Sequence, residues 1–316
     1  MAMLFQFIFG SPEHLICIEI RRLEFTDPDG QILPLLAVGD AVMFPIKGLQ
    51  ENFRQIKDFQ FKDDDVIVTT YPRSGTHFIW EVVHMLKRGS AEYINSEKEA
   101  EYLEMFFWND VANKSDRVIN SHLVPELLPV TYKNRKCKFI HLYRNPKDTM
   151  VSLYNHAINS KSYLGYDGKF SGFFELAMKG QVQAGNWMTF ELKYEEFFKN
   201  NPDICGLMMS YEELKLDPIT SIKKISEFLE LDRDDSLISS IADAVSFSKM
   251  KAGKFELKSD ILKNRVSNEH YSKLYRKGVV GDWKNWFTVA QSERFNEEYE
   301  RRMKGSTLFN EDVLLA

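Results

Sequence analysis

The sequence predicts a single α/β domain built on a mostly parallel central sheet that is flanked by helices. Short runs of β-branched and aromatic residues alternate along the chain with stretches whose apolar residues recur at helical spacing. At 316 residues the chain is long enough to bury one large core. Neither an internal repeat nor a clear linker divides it, so we expect one domain.

The composition is that of a globular protein and excludes several functional classes. Hydrophobic residues make up 44% and charged residues 28% of the chain, which excludes a disordered protein. With a net charge of −5, neither a nucleic-acid nor a membrane partner is expected, although a local basic pocket is not excluded. Three cysteines cannot form a disulfide framework, and together with the lack of a long apolar run they predict a cytoplasmic protein.

The chain begins with a segment that we interpret as an N-terminal extension, residues 1–29. Its apolar start has no basic residues before it and is interrupted at Ser11–His14, so a signal peptide is not expected. Pro28-Asp29-Gly30 predicts a turn, and residues 30–316 are expected to form the domain.

The first strand-to-helix unit contains the most informative turn in the sequence. Val66–Tyr71 predicts a strand and Thr76–Arg88 a helix, with Pro72-Arg73-Ser74-Gly75 between them. Gly75 would allow a ligand to approach the backbone closely, and the helix start offers N–H groups and the positive end of its dipole. The turn therefore fits a phosphate cradle, with an ordinary Ser/Thr-capped helix start as the alternative.

This turn is not the Walker A loop of kinases and ATPases. No lysine follows Gly75, and the later strand through Phe139 ends in Arg144 instead of an acidic residue. Because no carboxylate is placed to hold Mg²⁺, a metal-dependent phosphoryl transferase is disfavoured and no metal site is expected.

A second unit follows the same plan. Lys138–Tyr143 predicts a strand, and Lys147–Asn159 predicts a helix with Pro146 in its first turn. Arg144 ends the strand and Ser152 lies about two helical turns further on, so both can reach one anion if the turn folds back. The alternative is a surface arginine and a solvated serine.

The remaining elements continue the alternation. A strand is predicted at Ile204–Tyr211, and helices are predicted at Pro218–Leu231 and Ala290–Met303. The aromatic stretch Tyr163–Gly180 and the polar stretch Lys251–Tyr271 are predicted to be long loops.

Three segments together resemble motifs of the cytosolic sulfotransferase family. Tyr71–Thr76 resembles its YPKSGTTW loop, and Tyr143–Ser152 resembles its RNPKDxxVS segment. Arg276–Asn285, whose basic start would otherwise indicate a solvated charge run, resembles its RKGxxGDWKN segment. All three occur in family order, and the similarity extends from about Gly30 to Phe309.

The resemblance implies binding of 3′-phosphoadenosine 5′-phosphosulfate (PAPS) and transfer of its sulfuryl group to a hydroxyl or amine, with PAP as the product. The P-loop-like loop Arg73–Phe78 would hold the 5′-phosphosulfate, while Arg144, Ser152 and residues 276–278 would hold the 3′-phosphate. The complete set implied for the nucleotide, with Phe78, Tyr211 and Phe247 at the adenine, is Arg73, Ser74, Gly75, Thr76, His77, Phe78, Arg144, Ser152, Tyr211, Ser246, Phe247, Met250, Arg276, Lys277 and Gly278.

The catalytic base follows from a fourth segment. Asn120–Pro125 resembles the family's KTHLP segment and puts His122 at its catalytic histidine. An imidazole with a pKa near 6.5 is mostly neutral at pH 7 and can accept the acceptor's proton. The resemblance implies in-line displacement at sulfur, with Arg73 and Ser152 as further catalytic residues and a small phenol, alcohol, steroid or amine as the acceptor.

Several positions depart from the family pattern. Arg73 replaces its lysine, His77 a threonine, Asn120 the lysine two residues before the histidine, and Val245 a threonine. These changes cluster at the transferring group, where Asn120 removes a positive charge. A nucleotide-binding protein with reduced or no turnover is therefore the first alternative to an enzyme, and a P-loop kinase is the second.

The resemblance also implies a homodimer and an acceptor pocket. Lys284–Glu293 fits the family's KxxxTVxxxE dimerisation motif, and a solvated helix start is the alternative. The residues implied in the self-complementary patch are Lys284, Thr288, Val289 and Glu293. The acceptor pocket is expected to border Tyr163–Phe174, Lys251–Tyr271 and Phe44-Pro45.

Overall fold

Strands and helices alternate through most of the computed structural model, which describes residues 20–39, 41–45, 49–94, 98–104, 115–159, 165–256 and 276–314. The strands are β1 (Ile20–Thr26), β2 (Ile32–Val38), β3 (Ala41–Met43), β4 (Val66–Thr70), β5 (Val118–Ser121), β6 (Lys138–Tyr143) and β7 (Gly206–Ser210). The α-helices are α1 (Leu49–Ile56), α2 (Thr76–Arg88), α3 (Pro146–Asn159), α4 (Phe170–Met178), α5 (Trp187–Asn200), α6 (Tyr211–Leu216), α7 (Pro218–Phe228), α8 (Asp235–Ala244), α9 (Phe247–Glu256) and α10 (Val289–Met303). Short 3₁₀ helices include Lys98–Glu101 and Asp282–Asn285. No helix within these ranges is long and apolar enough to cross a membrane.

A four-stranded parallel sheet in the order β5-β4-β6-β7 lies at the centre of the fold. Ile67 and Phe139 pack into the core on one face, and their chain neighbours Val68 and Ile140 pack into the core on the other. Because both faces are covered, β4 is buried along its whole length and shows no polar alternation. The prediction of a single α/β domain with a mostly parallel sheet is confirmed.

The elements with the strongest sequence patterns are confirmed with small shifts at their ends. The predicted strands are β4, β6 and β7, and the predicted helices are α2, α3, α7 and α10. Both ends of α2 show why its bounds were predictable. Gly75 and Gly89 flank the helix with φ angles of 107° and 66°, a left-handed conformation that glycine adopts without strain.

The N-terminal region contains a hairpin that the sequence did not reveal. β1 pairs with β2 antiparallel, and β3 continues the small sheet on the other edge of β2. The turn predicted at Pro28-Asp29-Gly30 is confirmed, and the Asp27 carboxylate accepts the backbone N–H of Gln31 at 2.8 Å. The predicted extension, residues 1–29, therefore contains a strand and a turn over residues 20–29, while the domain boundary at residue 30 stays a prediction.

Two predicted loops were wrong in part. Residues 170–178 of the aromatic stretch form α4, in which Phe173 and Phe174 are buried, so these rings serve the core. The polar stretch Lys251–Tyr271 begins inside α9, which continues to Glu256. Residues 160–164 and 257–275 lie outside the described part of the chain.

Candidate functional site

The carboxyl ends of all four central strands meet at one edge of the sheet. β4 leads into the loop Arg73–Phe78, β5 into His122, β6 into Arg144 and β7 into Tyr211. The chain passes from β4 first to β5 on one side and then to β6 on the other, so a topological switch point lies beside β4. Ligands of open α/β sheets bind in the crevice at such a point.

The turn after β4 has the shape of a cradle and is not a capped helix start. Gly75 is the N-cap of α2, where no side chain caps the helix, and Arg73 also has a positive φ of 73°. A Cβ at Gly75 would lie 2.6 Å from the Tyr211 ring, so only glycine permits this packing. The Ser74 hydroxyl is buried and has no hydrogen-bond partner among the described residues, which fits a donor reserved for an anion.

Two arginines connect this loop to the second and third motif segments. Arg73 Nε donates to Ser152 Oγ at 3.2 Å, and Arg144 Nη1 donates to the carbonyl oxygen of Arg73 at 3.2 Å. Arg144 Nη2 donates to the carbonyl oxygen of Val279 at 3.4 Å. Nε of Arg144 is buried and has no partner within the described ranges. Arg144 is thus not a surface arginine, and the three segments that carry the resemblance meet around it.

The aromatic residues expected at the adenine lie near the same arginine. The Phe78 and Tyr211 rings are in edge contact with centroids 6.0 Å apart, and the Arg144 guanidinium lies 4.5 Å from the Tyr211 centroid. Phe247 packs directly against Gly278, where an added Cβ would come within 2.0 Å of the ring. The lack of a side chain at Gly278 thus lets the third motif segment, Arg276–Asn285, pack against Phe247.

Ser246 and Met250, also implied at the nucleotide, lie at the beginning of α9. The carbonyl oxygen of Ser246 accepts the backbone N–H of Met250 at 2.9 Å. Met250 is buried, whereas Ser246 and Phe247 are partly exposed. The accessible groups of this turn are therefore those of Ser246 and Phe247.

Arg276 and Lys277 share one buried carboxylate. Asp282 accepts hydrogen bonds from Arg276 Nη2 and Lys277 Nζ, both at 2.6 Å. Burial alone would raise the pKa of Asp282, but the hydrogen bonds from Lys277 and Arg276 outweigh it and lower the pKa to about 2. Asp148 accepts the backbone N–H of Trp283 at 2.9 Å, which docks this segment onto α3. The carboxylate of Asp282 thus holds both cations, of which Arg276 is partly buried and Lys277 is exposed to solvent.

His122 follows β5 with one ring nitrogen fixed by the backbone. Its Nδ1 lies 2.8 Å from the carbonyl oxygen of Thr70, which can only accept, so Nδ1 carries the proton and Nε2 keeps its lone pair. The Thr70 hydroxyl lies 3.1 Å from Nδ1 and 2.8 Å from Thr76 Oγ1, which links the imidazole to the loop. Burial and, next, the positive charge of Lys98 lower the pKa of His122 to about 3. The imidazole is therefore neutral at pH 7.

Three residues that sequence reasoning missed lie beside His122. The Tyr102 ring is 5.1 Å from the His122 ring, and Glu104 Oε1 accepts the backbone N–H of His122 at 2.6 Å. Lys98 Nζ donates to Asn120 Oδ1 at 3.3 Å. Burial raises the pKa of the Glu104 carboxyl to about 7. No motif marks these three residues, and contacts such as the bridge between Tyr102 and Asn120 in the folded chain bring them here.

The predicted acceptor pocket falls partly outside the described residues. Phe44 is buried and its ring lies 5.3 Å from that of His156. Phe173 and Phe174 are buried members of the core. The predicted borders at residues 163–164 and 257–271 are not described by the structure.

The predicted dimerisation residues form an exposed patch. Lys284, Thr288, Val289 and Glu293 are all exposed, and Val289 is 75% exposed. Thr288 is also the N-cap of α10, where its hydroxyl accepts the backbone N–H of Gln291 at 3.2 Å. The patch thus includes a capped helix start and presents an apolar side chain to solvent.

The arrangement combines two groups of donors that suit anions with a neutral imidazole. Ser74 and the start of α2 form one region, and the cations Arg144, Arg276 and Lys277 form the other. Within the described ranges, no cluster of three or more His, Cys, Asp or Glu residues is placed to hold a metal ion. These groups can bind a ligand with two separated anionic ends and remove a proton next to one of them.

Comparison with known proteins finds relatives along most of the chain. Residues 63–307 match the family model described as the sulfotransferase domain. Human Sulfotransferase 1C2 is 34% identical over 269 residues, which covers 82% of this chain and 89% of that protein. Human Sulfotransferase 1E1 is 36% identical over 274 residues, which covers 83% and 91%.

Solved structures agree with the sequence comparison. The mouse sulfotransferase SULT7A1 complexed with PAP is 33% identical, with a TM-score of 0.66 over 82% of this chain and 91% of that chain. Retinol dehydratase in complex with androsterone and the inactive cofactor PAP has a TM-score of 0.71 at 18% identity, over 93% and 98%. The second likeness shows a shared fold.

Proposed function

Because the chain belongs to the sulfotransferase family, we propose how its residues perform the reaction, with His122 as the general base for the acceptor. The chain is a PAPS-dependent sulfotransferase, for which PAPS is the co-substrate and PAP the product. The observation that carries the proposed role is the neutral imidazole of His122, whose Nε2 is left as an acceptor by the bond from Nδ1 to the Thr70 carbonyl.

The residues at the carboxyl edge of the sheet fit the two charged ends of the nucleotide. The 5′-phosphosulfate would be held by Ser74 and by the N–H groups at the start of α2. The Ser74 hydroxyl is buried and has no hydrogen-bond partner among the described residues. Arg144, Arg276 and Lys277 would hold the 3′-phosphate, for which guanidinium groups are well suited. The glycine at position 75 keeps the cradle free of a side chain that would fill it.

Proton removal from the acceptor is the step that this chain performs directly. His122 Nε2 takes the proton of the acceptor's hydroxyl or amine as that atom bonds to sulfur. The bond between sulfur and the bridging oxygen breaks, and its electron pair stays on the phosphate of PAP. The Thr70 carbonyl keeps accepting from Nδ1–H and so stabilises the imidazolium that forms.

Arg73 and Ser152 are proposed to act on the leaving phosphate. Arg73 brings a permanent positive charge to the loop, and its Nε bond to Ser152 fixes the direction of the guanidinium. A fixed cation placed where negative charge develops lowers the barrier, because no reorganisation is needed during the reaction.

The acceptor is proposed to be a small phenol, alcohol, steroid or amine. The Tyr102 ring beside His122 supports an acceptor with an apolar body next to its reacting hydroxyl or amine. We also propose a homodimer through the exposed patch around Val289, and a cytoplasmic location, which the free thiols of Cys137 and Cys205 support.

A transfer assay read by mass spectrometry tests the proposed function. Purified protein would be mixed with PAPS and a pool of phenols, steroids, alcohols and amines, without added metal. We expect at least one acceptor to gain a sulfuryl group and an equal amount of PAP to form. Binding of PAP by calorimetry without any product from a broad pool would favour a nucleotide-binding protein without turnover.

A further inference from the structure

The segment at residues 98–104 lies beside β5 and extends the central sheet beyond that strand. Tyr102 forms a parallel bridge with Asn120, and the backbone N–H of Leu103 donates to the Asn120 carbonyl oxygen at 2.8 Å. The Glu104 carboxylate then accepts the backbone N–H of His122 at 2.6 Å. The segment is thus fixed to β5 at Asn120 and again at His122.

The amide of Asn120 holds the 3₁₀ helix that begins this segment. Its Nδ2 donates to the carbonyl oxygens of Lys98 and Glu101 at 2.9 and 3.0 Å. Its Oδ1 accepts from Lys98 Nζ at 3.3 Å. Asn120 is fully buried, and its amide uses both its donor and its acceptor on this segment. Asn120 therefore sets the position of both the backbone and the ammonium of Lys98.

The ammonium of Lys98 lies in the same neighbourhood as His122. Lys98 is only 6% exposed, and its Nζ is 4.5 Å from the centroid of the Tyr102 ring, which in turn contacts the His122 ring. Its charge is felt at both neighbours, because it lowers the pKa of His122 and of the Glu104 carboxyl. The buried ammonium therefore adds positive charge beside the imidazole.

The anion-binding loop comes to the same place from the other side of β5. The Thr70 hydroxyl contacts Nδ1 of His122 and Thr76 Oγ1 at the start of α2. β4, which ends at Thr70, is the sheet neighbour of β5. Tyr102, which carries Lys98 against its ring, and the loop therefore approach His122 from two sides.

We propose that Lys98 binds a sulfonate oxygen of the transferred group, and that Asn120 is the residue that positions it. Asn120 stands where the family segment has a lysine, so the charge expected to be lost there is supplied from the neighbouring 3₁₀ helix. The proposal rests on the proposed function, since it assigns a group to the sulfuryl end of PAPS.

Binding measurements separate this role from a purely structural one. PAP lacks the sulfuryl group, so Lys98→Met is expected to keep PAP affinity within about threefold while PAPS affinity falls by about tenfold or more. Turnover is expected to fall by about 100-fold, the usual effect of removing one such donor. Lys87→Met is the matched control, because Lys87 is 10% exposed and donates to the Asp64 carbonyl oxygen at the far end of α2.

A relocated charge provides the second arm of the test. In the double variant Lys98→Met with Asn120→Lys, the lysine at position 120 supplies the ammonium that position 98 has lost. We expect its turnover to be at least tenfold higher than that of Lys98→Met alone. If thermal melting shows that Lys98→Met does not fold, Lys98→Gln keeps a donor for Asn120 and removes the charge. Equal losses of PAPS and PAP affinity, or no loss of either, would overturn the role of Lys98. A wild-type protein that binds neither nucleotide would overturn the proposed function itself.

Discussion

The position of one proton on His122 is central to the proposed reaction. Because Nδ1–H is held by the Thr70 carbonyl and the ring is neutral, Nε2 keeps a lone pair, which in the proposed mechanism acts on the acceptor and not on the nucleotide. His122→Ala is therefore expected to lower turnover by about 10²- to 10⁴-fold and to leave PAP affinity within a few fold. Initial rates of transfer and calorimetry with PAP measure the two effects, and comparable losses in both would contradict a role as base.

A second residue in the same site makes folding stability depend on pH. The Glu104 carboxyl is fully buried, and its pKa rises from 4.5 to about 7 because burial disfavours the charged form. The folded chain thus binds this proton more tightly than the unfolded chain, so stability is lost as the pH rises from about 4.5 to about 7. Above that pH range the loss of folding stability is complete and amounts to about 3 kcal/mol.

Glu104→Gln removes this titration and keeps an acceptor for the backbone N–H of His122. We expect the stability of this variant relative to the wild type to be greater at pH 8 than at pH 5. The difference between their free energies of unfolding should be about 2 to 3 kcal/mol larger, in favour of the variant, at pH 8. Urea unfolding at the two pH values measures the difference. Glu196→Gln, at an exposed position, should show nearly the same change at both. A Glu104→Gln effect that does not vary with pH would show that Glu104 is ionised in the folded protein throughout.

The residues of this site differ in how far the sequence reveals them. Arg73, Arg144 and His122 could be recognised from the sequence because each lies in a segment that resembles a family motif. They meet in the fold because each follows a strand whose carboxyl end lies at the same edge of the sheet. Lys98 and Glu104 belong to no strand or motif and come close to His122 through contacts of the folded chain, among them the bridge of Tyr102 with Asn120. A contact of this kind depends on the folded backbone and leaves no local pattern.

At the scale of elements, the turn before the last helix is shaped by one glycine. Gly278 has a φ of 63°, and a Cβ there would lie 2.0 Å from the Phe247 ring. Gly278→Ala is expected to displace Phe247 and to lower PAP affinity by about 10- to 100-fold, because both the ring and the adjacent Arg276-Lys277 pair would move. Calorimetry with PAP measures this loss.

A nearby glycine separates the clash from backbone strain. Gly281 also has a positive φ, 84°, but an added Cβ there meets nothing within 4 Å. Gly281→Ala should therefore cost only the strain of a left-handed residue, about 1 to 2 kcal/mol of folding stability, with little change in PAP affinity. If both variants lose PAP affinity equally, the packing against Phe247 is not what shapes the site.

Elements were predictable where local pattern and tertiary packing agree. The apolar, β-branched run of β4 predicts a buried strand, and the glycines on either side of α2 mark where that helix begins and ends. The stretch that forms α4 contains Gly172 and several aromatic rings, which favoured a loop, but burial of Phe173 and Phe174 made it a helix. β1 was missed because four of its seven positions are exposed, and its apolar residues are only partly buried against the core.

On the scale of the whole molecule, the protein is acidic, yet several of its arginines lie together at one edge of the central sheet. The net charge of −5 gives no general attraction for an anion. Arg73, Arg144 and Arg276 nevertheless converge there through contacts among three segments that are distant in the sequence. Specific placement and not total charge therefore fits this acidic protein to a nucleotide with two anionic ends.

The surface away from that site carries the last prediction, a two-fold interface around Val289. This valine is 75% exposed at the start of α10, between Lys284 and Glu293, and a self-complementary patch would pair each charge with its opposite on a second copy. We expect light scattering after size exclusion to give a dimer mass for the wild type and a monomer mass for Val289→Glu. Leu216→Glu, at a site that is 73% exposed on another surface, should remain a dimer.

A charge exchange tests the geometry of that interface. Lys284→Glu alone would face the partner's Glu293 with a like charge and weaken the dimer, whereas Lys284→Glu combined with Glu293→Lys would restore the opposite pairing in both halves. Recovery of the dimer mass in the double variant would therefore require the two residues to meet across a two-fold axis. A wild type that is monomeric, or a Val289→Glu variant that keeps the dimer mass, would show that the copies do not associate through this patch, and the exposed valine would then be only part of a solvated helix start.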